Sequence, residues 1–415
     1  MSSAPWCANF WSHTIYDWAT WCPPVGYGDG ISDAKCVVSG LQMDYRRFQS
    51  QAQLACYTNE RDAIREYDAT TPITTNLMGT FKDLDYFEWA KEMDVVSWDN
   101  YPGMDTPPSF TAMCHDLMRG IGGNKPFMLM EQTPNQQNWF PFCKVKQPGE
   151  VRKLSWQAVA HGADTVRFFQ MKQSLGGCER FHGAVIAHDG TEESRVFKET
   201  AALGEELDRI GRRIMGSRIE SRVAIMFDWQ SYWSLEGCVG PTTGFNYPNE
   251  VHRFYRALWR RNVPVDMIAS TTPLARLSQY DLAIAPALIP CCLVWLKRWK
   301  PMWRMVAPSS PAIWPASMMS MIWWCQAATR ASCAGLWAYG SKRSMRLRRA
   351  KPSKCMAARL MPRARSWRAL FIAKVPSVLL RTAATNSMLG IPRSPSMRMA
   401  RAKPILWALR WTRPA

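Results

Sequence analysis

One glutamate in this sequence stands out because of the residues that precede it. Glu131 follows the run PFMLM at residues 126–130, which is apolar enough to form a buried strand. A carboxylate at the end of such a strand can attack an electrophilic carbon, for example the anomeric carbon of a sugar. The alternative is a surface glutamate that only caps the strand, and composition alone leaves both interpretations open.

Three other side chains could bind a polar ligand beside Glu131. Trp139 lies eight residues further on and could stack on the face of a sugar, although core packing is the more common role of a tryptophan. Glu179 and His182 stand three residues apart in GGCERFHG at residues 176–183, which is predicted to be a loop. They could hold hydroxyl groups, and a surface position without a ligand is the alternative.

Motifs for other chemistries are not found. The sequence contains neither HExxH nor a CxxC pair, so we predict no metal and no cofactor. The glycines at residues 26–30 have no preceding strand and no following Lys-Ser/Thr, which predicts a loop rather than a phosphate site. No serine stands in a nucleophile-elbow context.

Strands and helices alternate around these residues. Short apolar runs at 73–77, 94–99, 126–132 and 165–170 predict buried parallel strands, and the segments 44–67, 83–93, 108–120 and 148–161 predict helices. The strands end in polar residues, namely Asn76, the segment 98–102, Glu131 with Gln132, and Gln170. We therefore expect an α/β fold of the β/α-barrel type, which builds its active site at the carboxyl ends of its strands.

A second α/β unit follows a predicted helix at 194–214. It comprises predicted strands at 222–227, 263–268 and 281–287 and a predicted helix at 249–261. We place a boundary near residue 218, which divides the chain into segments 1–217, 218–289 and 290–415.

The charge of the chain is unevenly distributed. The net charge of +19 suggests a nucleic acid or another polyanion as partner, but residues 291–415 contain no Asp, Glu or His. The first 290 residues carry 28 basic and 33 acidic residues, a net charge of −5. Polyanion binding through the basic tail remains the alternative function, although no nucleic-acid motif accompanies it.

The cysteines and the amino terminus indicate a cytoplasmic protein. Thirteen scattered cysteines without a CxxC pair are typical of reduced thiols, and no signal peptide is visible. The uncharged segment 305–329 is long enough to span a membrane, but Pro308, Pro311 and Pro315 would interrupt a helix. We therefore predict no membrane span there.

Seven ordered strings resemble glycoside hydrolase family 42, the β-galactosidases. They cover roughly residues 8–289 and are FWSHT at 10–14, DYRRF at 44–48, TTNLMG at 74–79, VSWDNYP at 96–102, LMEQTP at 129–134, WQAVAHGAD at 156–164 and FHGAVI at 181–186. The resemblance implies hydrolysis of terminal β-D-galactosides with retention on a (β/α)8 barrel.

The resemblance also implies roles for individual residues. Glu131 matches the family's nucleophile, and the galactose-binding residues match Trp139, Glu179 and His182. The second unit resembles the family's flavodoxin-like domain, which forms a homotrimer. Its characteristic opening matches four residues, namely Asp228, Trp229, Trp233 and Glu236.

Two departures from the family pattern limit what we expect of the chain. The family's acid/base glutamate stands in an Asn-Glu-Tyr motif ahead of the FWSHT string, and no Glu occurs among the first ten residues here. We therefore expect only barrel strands five to eight, without the acid/base residue and without the cysteine cluster that binds zinc in many members. A non-catalytic sugar-binding remnant is a further alternative.

The tail is the second departure. It combines the absence of acidic residues with ten Trp and eleven Met that follow no helical or strand period. Codons can be chosen for segments 336–346 and 399–414 that resemble the family's continuation when read two bases later. We hypothesise that segment 290–415 is read in the wrong frame, and we predict no fold for it.

Overall fold

The computed structural model describes residues 39–237, 245–288 and 370–374. The FWSHT string, the glycines at 26–30, the segment 305–329 and the rest of the basic tail lie outside these residues. Within the described part, no helix combines the length and the apolar character needed to cross a membrane.

The first sheet contains four parallel strands in sequential order. They are β1 (Asn76–Leu77), β2 (Ser97–Asp99), β3 (Phe127–Glu131) and β4 (Ala163–Val166). Each overlaps a predicted strand, so the parallel α/β fold is confirmed. The strands are shorter than the apolar runs, and β4 begins two residues earlier than predicted and ends four residues earlier.

Among the residues that the structure describes, five helices accompany this sheet. They are α1 (Ser39–Arg65), α2 (Tyr86–Trp89), α3 (Pro108–Ile121), α4 (Glu150–Ala160) and α5 (Arg195–Ile214). Their starts follow capping chemistry: Pro108 occupies the first turn of α3, and the Ser194 hydroxyl accepts a hydrogen bond from the Phe197 amide. Helix α2 is much shorter than the predicted helix at 83–93. Beyond Trp89 the chain continues in turns bonded three residues apart, in which the Glu92 amide donates to the Trp89 carbonyl.

The second sheet also contains four strands. In spatial order they are β6 (Val265–Ala269), β5 (Val223–Phe227), β7 (Leu282–Pro286) and β8 (Leu370–Lys374). The first three run parallel, and their order is that of a doubly wound sheet. Helices α6 (Trp229–Gly237), α7 (Tyr247–Trp259) and α8 (Leu274–Leu277) connect them, with residues 238–244 between α6 and α7 outside the described part.

Strand β8 differs from the expectation of a tail without a fold. It pairs antiparallel with β7, with Leu282 opposite Lys374 and Pro286 opposite Leu370. Main-chain hydrogen bonds to the edge of a sheet require no particular side chains, so a short segment without strand alternation can add to it.

The two sheets share one hydrophobic core. Leu117 of α3 belongs to the same buried cluster as Ile225 of β5 and Met267 of β6. Helix α3 lies directly against β6 at Gly120, where an added Cβ would stand 1.9 Å from the Met267 carbonyl oxygen. Because only glycine permits this approach, Gly120 fixes how closely the two sheets pack.

Candidate active site

Glu131 lies at the carboxyl end of β3. Phe127 and Leu129 of the same strand are fully buried, so the strand is anchored in the core and its last residue reaches the edge of the sheet. The register of β2 against β3 shifts between Trp98 and Asp99, which brings Asp99 opposite Glu131. Since β1 ends nearby, polar side chains from three neighbouring strands meet at this edge.

Two donors hold the Glu131 carboxylate, one on each oxygen. The Asn76 amide nitrogen donates to Oε1 at 3.0 Å, and the Tyr101 hydroxyl donates to Oε2 at 2.8 Å. Burial and the hydrogen bond to Glu131 raise the pKa of Tyr101 far above its usual value, so this phenol remains a donor. The carboxylate is thus fixed in orientation, as a nucleophile must be.

Asp99 shares the amide of Asn76 with Glu131. The Asn76 nitrogen lies 3.1 Å from Oδ1 and 3.2 Å from Oδ2 of Asp99. Burial, together with the neighbouring charge of Glu131, raises the pKa of Asp99 to about 7. The edge of the sheet therefore holds two carboxyl groups in different environments.

An aromatic wall stands beside this pair. Trp139 stacks on His182 with ring centroids 4.9 Å apart and planes 18° apart, and Tyr101 meets the Trp139 ring edge-on at 4.8 Å. Trp139 is nevertheless 49% exposed, which is unusual for an indole with a purely structural role. An exposed indole held by neighbouring rings can stack on the apolar face of a sugar.

His182 is fully buried behind Trp139. Its Nε2 donates to the Phe169 carbonyl at 3.1 Å, and its Nδ1 lies 3.4 Å from Oδ1 of Asn138. Burial lowers the pKa of His182, which favours the neutral ring. The structure thus brings His182 into contact with both Trp139 and Tyr101, with its ring nitrogens directed at protein atoms.

Glu179 lies on the predicted loop, three residues before His182. Its carbonyl accepts a hydrogen bond from the His182 amide at 2.9 Å, and its charge acts on both Tyr101 and His182. The loop is tied to the segment after β3, because the Asn138 amide nitrogen donates to the Cys178 carbonyl at 2.6 Å. The four residues singled out from the sequence therefore lie in one region.

The roles of Asn76, Asp99 and Tyr101 are not evident from the sequence. The sequence shows only that all three lie at or just after the polar ends of predicted strands. Which of them reaches Glu131 depends on the register of the strands. A polar residue at the end of each neighbouring parallel strand is the signal that could have identified them.

The described residues contain no group of three or more His, Cys, Asp and Glu side chains that could hold a metal ion.

Two family models match the chain. One, described as beta-galactosidase, matches residues 3–210, and the other, described as beta-galactosidase trimerisation domain, matches residues 221–296.

Individual relatives agree with these matches. The chain is 51% identical over 283 residues to beta-galactosidase BgaP of Planococcus sp. (strain L4), covering 68% of this chain and 41% of the relative. It is 46% identical over 286 residues to beta-galactosidase LacZ of Lactobacillus acidophilus, covering 68% of this chain and 42% of the relative.

A solved structure also superposes on this fold. The crystal structure of beta-galactosidase from Bacillus circulans sp. alkalophilus gives a TM-score of 0.69 at 50% identity, over 74% of this chain and 44% of that one. The chain spans about two fifths of the length of the curated relatives it matches.

Proposed function

Since the chain belongs to the β-galactosidases of glycoside hydrolase family 42, we propose that its cleft acts on terminal, non-reducing β-D-galactosyl groups. The observation that carries the proposal is the carboxylate of Glu131, oriented by Asn76 and Tyr101 beside the exposed indole of Trp139. A fixed carboxylate can supply the nucleophile of a retaining mechanism, and an exposed indole beside it can hold the sugar.

The proposed reaction is a double displacement at the anomeric carbon. A carboxylate oxygen of Glu131 forms a bond to that carbon while the glycosidic bond breaks, and the leaving oxygen departs with the electron pair. Water then attacks the same carbon from the other face, and Glu131 leaves as a carboxylate. Two inversions give net retention of the β-configuration.

We assign galactose binding to Trp139, Glu179 and His182. The indole of Trp139 covers the apolar face of the sugar, and Glu179 accepts hydrogen bonds from its hydroxyl groups. His182 supports Trp139 from behind through the stacked contact between their rings. The buried position of His182 favours this supporting role.

Proton donation to the leaving group is assigned to none of the described residues. Departure of a weakly basic phenolate needs little protonation, so we expect aryl galactosides with good leaving groups to react faster than lactose. We also expect the chain to be weak or inactive on unactivated galactosides.

Hydrolysis of a nitrophenyl β-galactoside by the purified chain tests the proposal. Glu131→Gln keeps the shape and hydrogen-bonding capacity of the side chain but removes the nucleophile, and we expect it to abolish release of nitrophenol. Glu205→Gln makes the same chemical change at an exposed position on α5 and should leave the rate unchanged. Equal rates for wild type and Glu131→Gln would overturn the proposal.

We further propose a partial (β/α)8 barrel over residues 1–217, formed by strands five to eight, and a trimer-forming domain that begins at residue 218. Four sequential parallel strands support the barrel, and the matched trimerisation domain supports a homotrimer. Sedimentation equilibrium of the full chain tests the trimer, and a monomer at micromolar concentration would contradict it.

We propose a cytoplasmic location. The thiols of Cys56, Cys114, Cys143 and Cys178 are free, which supports a reducing compartment. Fractionation of cells that produce the chain tests this location.

A further inference from the structure

The amide of Asn76 serves two carboxyl groups at once. Its nitrogen carries two hydrogens but lies within hydrogen-bonding distance of three carboxyl oxygens, one on Glu131 and two on Asp99. Tyr101, in contrast, donates only to Glu131. Glu131 therefore has a donor on each oxygen, whereas Asp99 depends on the shared amide.

The register of the sheet makes this sharing costly if both groups are ionised. Asp99 and Glu131 stand opposite each other on neighbouring strands, and Asp99 is half-buried. Among the described residues, the charged group acting on Asp99 is Glu131, while the phenols of Tyr86 and Tyr101 lie within electrostatic range. Two negative charges side by side in a partly desolvated site repel each other, so one proton stays in the pair.

We propose that Asp99 is a positioning residue that keeps its proton up to about neutral pH and, through the amide of Asn76, fixes Oε1 of Glu131. The positioning role rests on the proposed function of Glu131 as the nucleophile. With its proton, Asp99 accepts the Asn76 hydrogen bond without adding a second negative charge. The negative charge of the pair thus stays on Glu131, the carboxylate that accepts a hydrogen bond on each oxygen.

Burial and the neighbouring charge of Glu131 raise the pKa of Asp99 to about 7, in agreement with this arrangement. In the unfolded chain an aspartate ionises near pH 4. A group whose pKa is raised by folding contributes stability at low pH, and that contribution is lost as the pH rises toward the folded value. The wild-type chain therefore loses stability from Asp99 between about pH 4 and pH 7.

Thermal unfolding of the full chain as a function of pH tests the proton directly. Asp99→Asn imitates the protonated acid and cannot ionise, so we expect a Tm above that of the wild type at pH 8. The gain should be at least about 3 °C larger at pH 8 than at pH 5. Asp208→Asn makes the same change at an exposed position on α5 and should show the same difference at both pH values.

The opposite result would overturn the proposal. If Asp99→Asn is less stable than the wild type at pH 8, Asp99 is needed as a charged acceptor. If its difference from the wild type does not vary with pH, Asp99 does not titrate in this range. Both outcomes are distinguished by the Tm values alone and need no measurement of activity.

Labelling of Glu131 tests the positioning role. A dinitrophenyl galactoside with fluorine in place of the hydroxyl next to the anomeric carbon transfers its sugar to the nucleophile, releases dinitrophenolate and then turns over slowly. We expect Asp99→Ala and Asn76→Ala to slow labelling at least about tenfold, and Asp99→Asn to restore most of the loss seen in Asp99→Ala.

The labelling outcomes separate the two proposals. Labelling of Asp99→Ala at the wild-type rate would overturn the positioning role while leaving the nucleophile in place. A folded wild type that is not labelled would overturn the proposed function together with the positioning role. The unfolding series would then still decide whether Asp99 holds the proton.

Discussion

The carboxylate of Glu131 is held by residues from two other strand ends. Asn76 is the first of the two residues of β1, and Tyr101 follows β2 by two residues. Each contributes one hydrogen bond, so the orientation of the nucleophile depends on the packing of three strands rather than on its own neighbours in sequence.

We expect Tyr101→Phe to slow labelling of Glu131 by about 10- to 100-fold, because a hydrogen bond to a charged group contributes about 1.5–3 kcal/mol. The variant keeps the ring that meets Trp139 edge-on, so the stacking surface is preserved. The rate of dinitrophenolate release in a single turnover measures the effect.

Tyr67→Phe is the matched control, because Tyr67 is 92% exposed and lies beyond the end of α1. Its rate should equal that of the wild type. If Tyr101→Phe also reacts at that rate, the Tyr101 hydroxyl does not orient the nucleophile.

The sequence predicted which residues the site contains better than it predicted their contacts. Glu131, Trp139 and His182 were chosen for chemistry that each residue type carries by itself, and Tyr101 connects them in the structure. Asn76 and Asp99 matter because of the register between strands, which a single sequence does not specify. Their pairing required the three-dimensional structure.

At the scale of elements, the strands were predicted because their cores are short apolar runs. Helix α6 was missed, because its aromatic residues follow Phe227 and Asp228 directly and show no helical period. The helix begins there because Oδ2 of Asp228 accepts a hydrogen bond from the Ser231 amide at 2.7 Å.

Helix α6 supports the loop that follows β1. The indole nitrogen of Trp229 donates to the Phe81 carbonyl at 3.0 Å, and that of Trp233 donates to the Lys82 carbonyl at 2.5 Å. Trp229 also packs against Tyr86, whose hydroxyl accepts a hydrogen bond from the Met78 amide. The second unit thus fixes the chain immediately beyond Asn76.

We expect Trp233→Phe to lower the free energy of unfolding by about 1–3 kcal/mol, because it removes the indole donor to the partly buried Lys82 carbonyl. Denaturant unfolding at constant pH measures this loss. Trp156→Phe removes an indole hydrogen bond to Glu206 on a partly exposed surface and should cost less. An equal loss of unfolding free energy in the two variants would mean that the α6 hydrogen bond stabilises the chain no more than the partly exposed one does.

At the scale of the whole molecule, a buried polar network joins the two sheets. Arg119 of α3 contacts the carboxylates of Asp116 and Asp266 and donates to the Val265 carbonyl at 2.7 Å. Burial favours the neutral acid, but the charge of Arg119 and the contacts with His161 and Tyr255 together outweigh it and lower the pKa of Asp116 to about 2. The network thus depends on a charge from each side of the junction.

We expect Arg119→Met to destabilise the chain by about 3–5 kcal/mol, because it leaves two buried carboxylates without their cation. Arg152→Met removes an exposed ion pair with Glu206 and should cost much less than Arg119→Met. Because both sheets share one core, each variant should unfold in a single transition. Separate transitions for the two sheets would contradict this account.

The division of charge along the chain was evident from the sequence alone, since the acidic residues end at Asp281. The close packing of the two units was not, because it depends on Gly120, which looks like any helix-terminal glycine in the sequence. The hydrophobic core continues across the boundary that we predict near residue 218.

Peptide mapping after reaction with the fluorinated dinitrophenyl galactoside tests the central claim most directly. We expect the mass of one fluorogalactosyl group on the peptide that contains Glu131, and no labelled peptide in the Glu131→Gln variant. A label on a different carboxylate, or an unchanged label in Glu131→Gln, would contradict the assignment of Glu131 as the nucleophile.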